Sequence, residues 1–208
     1  MSGARLLILT AMGLAVATPA HAFDDPDWPC ESRKVRNLSW GQMWAGPPLP
    51  ESSRAWRDDE AVNRLVSLLA ARRTSMQEAE TLVADLGPGE DRSRDERLIA
   101  LFAGAFDRID DDRAEIVDGI VRLARRERSR SERIEEMRAE IDALRAEAGP
   151  EDYDTLDRIE EMEDNLAWET RTYEDRRRSL QYVCETPVIL EKRAFALARL
   201  IQGELEGG

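Results

Sequence analysis

From residue 58 onward the apolar positions recur with helical periodicity. Ala61, Val62, Leu65, Val66, Leu68 and Leu69 form one broad stripe, which predicts a first helix. Ser75, with Glu78 three residues on, has the spacing of a capping box and announces a second short helix that Gly87-Pro88-Gly89 stops. Ser93 and Glu96 repeat the signal ahead of a third helix bearing Leu98, Ile99, Leu101, Phe102, Ala105, Phe106 and Ile109. Stripes this wide require burial against more than one neighbour, as in a helical bundle.

Between 113 and 184 the pattern narrows to heptads. Ile116, Ile120, Leu123, Glu127, Arg130, Ile134, Met137, Ile141 and Leu144 follow a 4-3-4-3 spacing. After Gly149-Pro150 the same frame resumes with Ile159, Met162, Leu166, Glu169, Tyr173, Arg176, Leu180 and Val183. Two heptad helices joined by so short a turn fold back on each other, so positions whose numbers sum to about 300 should face one another. That register sets Ile120 opposite Leu180, Ile141 opposite Ile159, and Arg130 beside Glu169. Helix four has no apolar residue from Arg125 to Arg133, which places its base in the bundle and its outer part in a projecting ribbon. Asp110-Asp111-Asp112 reads as favourable negative charge at the start of this helix. Thr186-Pro187 reads as the cap and first position of a last helix carrying Leu190, Phe195, Leu197, Leu200 and Ile201. The fold expected is all-α: a bundle with a projecting antiparallel coiled-coil hairpin over 113–184 inside a helical region of 58–208.

The segment before it, 23–57, differs in composition. It holds Trp28, Trp40, Trp44, Trp56 and the run Pro47-Pro48-Leu49-Pro50, which resists helix and predicts an extended strap laid over the bundle with its indoles buried. Residues 1–22 read as a secretory signal: Arg5, an apolar run from Leu6 to Thr18, and small residues Ala20 and Ala22 at the cleavage site. The run is too short to span a bilayer. Cleavage removes the only histidine, His21, so the mature chain lacks the imidazole that triad, histidine-zinc and proton-shuttle chemistry require. Cys30 and Cys184 form no CxxC motif, and in an exported protein they predict one disulfide. Arginine outnumbers lysine twenty-eight to two, the bias of a GC-rich bacterial genome, which with an export signal points to a periplasm.

The formal net charge of −13 disfavours nucleic acid and anionic membranes as partners. Thirteen acids stand against Arg138, Arg145 and Arg158 between Ile134 and Leu166, the outer end of the hairpin, while arginines gather just inward at 125–133 and 171–178. No catalytic, cofactor or metal residues are assigned and the chain is not read as an enzyme. The expected role is an interaction, adaptor or chaperone-like module meeting an unidentified, basic protein partner. Its candidate partner surface comprises Glu147, Glu151, Asp152, Asp154, Trp168 and Tyr173. The alternative is a small-ligand or cation binder using the tryptophan strap or the acidic turn, although the ligand order of a helix-loop-helix calcium site is missing. A like-charged ribbon whose one face is already occupied predicts a monomer or weak homodimer.

Overall fold

The computed structural model of the protein describes residues 25–49 and 55–206. The secretory signal expected over residues 1–22, with its cleavage site, and Pro50 lie outside the described residues. Four α-helices follow a strap containing two short 3-10 turns, Trp40–Gln42 and Ala55–Asp58. They are α1 (Glu60–Ala70), α2 (Met76–Ala84), α3 (Arg94–Glu147) and α4 (Tyr153–Glu206).

The caps of α2 and α3 are those the sequence announces, whereas the cap of α1 is not. The Asp59 carboxylate accepts from the Ala61 and Val62 amides at 3.1 Å and opens α1. Ser75 Oγ accepts from the Glu78 amide at 3.1 Å and opens α2. At the start of α3 the capping box is complete, with the Ser93 amide donating to Glu96 at 2.8 Å and the Glu96 amide donating to Ser93 Oγ at 3.3 Å.

The core lies at one end. Val62, Val66 and Leu69 of α1 and Val83 of α2 pack with Leu98, Leu101, Phe102 and Ile109 of α3 and with Leu190, Leu197 and Ile201 of α4. Trp44 of the strap stacks on Phe102 with ring centroids 4.2 Å apart. Beyond this end α3 and α4 continue alone as an antiparallel pair, reversed by the turn at Gly149-Pro150. The disulfide between Cys30 and Cys184 is present, closing a separation of 154 residues.

Three expectations are corrected. The third and fourth helices are one, because α3 runs through 110–112 without interruption over 54 residues, about 80 Å. Asp110 has a different task from helix starting: its carboxylate accepts from the Leu38 amide at 2.6 Å and from Asn37 Nδ2 at 2.9 Å, and so holds the strap. Likewise the return arm and the last helix are one, with Pro187 buried inside α4. A proline within a helix removes one donor and crowds the preceding turn. Here that turn is held from outside, by the bond from Cys184 to Cys30 and by Arg113 Nε donating to the Pro187 carbonyl at 3.2 Å. Finally, the strap does not bury all its indoles: Trp44 and Trp56 are buried, while Trp40 is 44% exposed.

Candidate functional site

The projecting hairpin is built on the heptad seam. Ile120, Ile134 and Ile141 of α3 and Ile159 and Leu180 of α4 are buried, and all but Ile120 sit on otherwise exposed stretches. Cross-hairpin ion pairs report the register directly. Arg130 Nη1 lies 2.7 Å from Glu169, Arg158 Nη2 lies 2.9 Å from Glu140, and at the bundle end Arg94 pairs with Glu204. The numbers of these three pairs sum to within two of 300, while Arg145 reaches along the ribbon to Glu163, about two turns out of this register.

Between the apolar layers of Ile120 and Ile134 sits a polar one. Glu127 is buried, with Arg130 Nε at 3.6 Å and Arg176 Nη1 at 3.5 Å. Neither Glu127 oxygen has a protein hydrogen-bond partner. The carboxylate is therefore held by charge rather than by directed bonds. A polar layer of this kind lowers stability relative to leucine while it disfavours slipped pairings.

The arginine belt is partly spent on the strap. Arg125 Nε and Arg128 Nη2 lie 2.7 and 2.8 Å from the two oxygens of Asp27, and the Arg125 guanidinium in particular holds that carboxyl below the usual carboxylate range. Arg36 lies 3.0 Å from Asp118, which is lowered for the same reason. The strap thus descends α3 antiparallel to it, touching Arg128, Asp118, Asp110 and Phe102 in turn.

At the far end all three arginines between Ile134 and Leu166 are tied within the hairpin: Arg138 to Glu135, Arg145 to Asp142 and Glu163, Arg158 to Glu140. Asp152 caps α4 by accepting from the Thr155 amide at 3.2 Å. The remaining eight carboxylates, Glu147, Glu151 and Asp154 among them, are exposed. Among the described residues no group of three or more acids, cysteines or histidines converges to hold a metal ion, and no helix is long and apolar enough to cross a membrane.

Comparison with protein families, with curated proteins and with solved structures finds no match to this chain. Its site must be argued from geometry alone.

The six residues of the candidate surface do not form one patch. Glu147, Glu151, Asp152 and Asp154 surround the turn. Trp168 lies about 25 Å away along α4, 59% exposed and on the side turned from α3. Tyr173 sits in the seam frame opposite Glu127 and is half-buried. Sequence reasoning also missed Arg113. Only 3% exposed, it donates to the Pro187 carbonyl, to the Val35 and Arg36 carbonyls of the strap, and at 3.5 Å to Glu191. Its signal was slight: one arginine between the Asp110-Asp111-Asp112 run and the seam residues that begin at Ile116.

Proposed function

We propose that the chain is an exported, non-enzymatic interaction protein that offers the acidic end of its hairpin to a basic surface on a protein partner. The observation that carries this reading is the distribution of pairing at that end. The three arginines are consumed internally, and eight carboxylates face solvent about 30 to 50 Å beyond the disulfide that anchors the hairpin. A field of one sign on a stiff arm speeds encounter with an oppositely charged surface and loses strength as salt rises.

A photo-cross-linking side chain at Asp154 tests the reading in the producing cell, with one at Glu80 of α2 as the control. A basic protein should be captured at the first position and not at the second. Changing the other seven exposed acids to their amides should abolish that adduct while circular dichroism stays helical. An adduct that survives neutralisation, or that forms equally at Glu80, would sink the acidic-end reading.

A further inference from the structure

The face of α4 turned away from α3 carries two neighbouring rows of exposed residues at heptad spacing. One row holds Trp168, Asp175, Tyr182 and Ile189; Trp168, Tyr182 and Ile189 are 59%, 74% and 45% exposed. The other, three positions further along the helix, runs Asp157, Asp164, Arg171, Arg178, Glu185, Lys192 and Arg199, and every member is exposed. Residues seven apart share a helix face in a coiled-coil frame, so the charged row runs along most of α4 and the other along its middle part.

The charged row is complementary to itself when reversed. Laid antiparallel on a second copy with the two-fold axis at Arg178, it puts Asp157 against Arg199, Asp164 against Lys192 and Arg171 against Glu185, each pair occurring twice. The same register sets Trp168 on Ile189 and Asp175 beside the Tyr182 hydroxyl. At the axis the two Arg178 side chains meet, but each is already ion-paired with its own Asp175, so the four charges there cancel. Sliding by one heptad weakens the match. In the shorter register Asp157 still meets Lys192, but Arg171 meets Arg178 and Asp164 meets Glu185; in the longer one Asp164 with Arg199 and Arg178 with Glu185 are offset by Arg171 against Lys192 and Asp157 against Glu206.

Two further facts agree. Arg178 is close to the midpoint of α4 (Tyr153–Glu206), so this register overlays the two helices end to end. The strip from Asp157 to Arg199 is about 60 Å long, and at a helix width of about 12 Å it offers about 700 Å² per copy, close to what a stable association buries. We infer that the outer face of α4 is a homodimer interface, formed by a second copy of this chain lying antiparallel, with the acidic end of each hairpin beside the bundle of the other. This surface is separate from the turn and goes beyond the reading of the acidic end.

Sedimentation velocity of the mature, disulfide-intact chain at about 1 to 100 µM tests it. The wild type should dimerise within this range. Glu185→Arg and Arg171→Glu, each creating two like-charged contacts, should each weaken the dimer at least about tenfold. The double variant carrying both should return to within about threefold of the wild type. Asp164→Lys with Lys192→Asp provides a second swap if either single variant loses its helical spectrum. A monomer at about 100 µM, a dimer indifferent to both single reversals, or swaps that fail to restore association while remaining folded would each overturn the inference. Self-cross-links have the mass of two identical chains, which keeps this result distinct from capture of another protein at Asp154.

Discussion

Arg130 and Glu169 stand thirty-nine residues apart in the chain and 2.7 Å apart across the hairpin. The pair joins the α3 and α4 seams at the depth where apolar side chains are missing, one turn from buried Glu127. A seam of isoleucine and leucine alone would tolerate a slip of one heptad, whereas this layer does not. Slipping it would take Arg176 away from buried Glu127 and Glu169 away from Arg130.

Reversing one partner should therefore be costly and reversing both should not. Arg130→Glu is expected to destabilise the protein by about 2 kcal/mol, less than for a fully buried pair because both side chains keep some solvent. Adding Glu169→Arg should recover at least about 1 kcal/mol. Urea unfolding of the four proteins in the cycle measures the coupling, and strict additivity would mean that the pair does not set the register.

A second expectation concerns acid. The hydrogen bond from Arg97, and to a lesser degree the amides of Val62 and Ala61, hold the Asp59 carboxyl below its ordinary value. A carboxyl whose pKa is depressed by folding contributes stability that is complete above its unfolded value, about pH 4, and disappears as pH falls through the lower, folded value. Asp59→Asn keeps the helix cap but loses the charge. It should cost about 2 kcal/mol at pH 7, with Arg97 only 7% exposed, and should narrow the gap between melting temperatures at pH 7 and pH 3. An unchanged gap would assign the acid sensitivity to other carboxylates.

Glycine substitutions should separate the packed end from the ribbon. A Cβ on Gly104 would fall 2.6 Å from Val66 Cγ2 and 2.7 Å from Trp56 Cγ, so Gly104→Ala should destabilise by about 1–3 kcal/mol. At Gly119 the nearest such atom is Arg122 Nη2 at 3.8 Å, and Gly119→Ala should stabilise by about 0.5–1 kcal/mol through helix propensity. Thermal melts of the two variants should move in opposite directions.

Removing the disulfide should loosen the strap unevenly. Replacing Cys30 and Cys184 with serine restores the freedom of a long loop in the unfolded chain, a cost of up to about 4–5 kcal/mol. Amide exchange should rise most at 28–34. It should rise least at 38–44, where Asp110 and the Trp44–Phe102 stack hold the strap independently of the sulfurs. A uniform rise along 28–44 would make the disulfide the sole anchor.

The hairpin was legible because its information is periodic and redundant: two heptad frames and one Gly-Pro turn determine a register that the Arg130–Glu169 and Arg158–Glu140 pairs then repeat. Helix ends were less legible. Asp110 and Pro187 carry strong local signals for a terminus, yet both are overruled by partners remote in sequence, Leu38 and Arg113. No local rule anticipates that a mid-helix carboxylate will receive the amide of a strap seventy-two residues earlier. The candidate surface was half legible for a related reason. Charge density located the turn, but whether Trp168 and Tyr173 faced outward or inward depended on the seam, and the seam divides them.

The bond between Cys30 and Cys184 also makes the chain a covalent ring whose outermost point is Gly149-Pro150. A protease reaching the protein would find that exposed turn first. Cutting there opens the ring without dividing the molecule. The two pieces stay joined by sulfur, and α3 and α4 remain side by side along the seam. Such a scar would be invisible to size until reductant was added, and a hairpin nicked at its end could keep its shape while losing only the link between its arms.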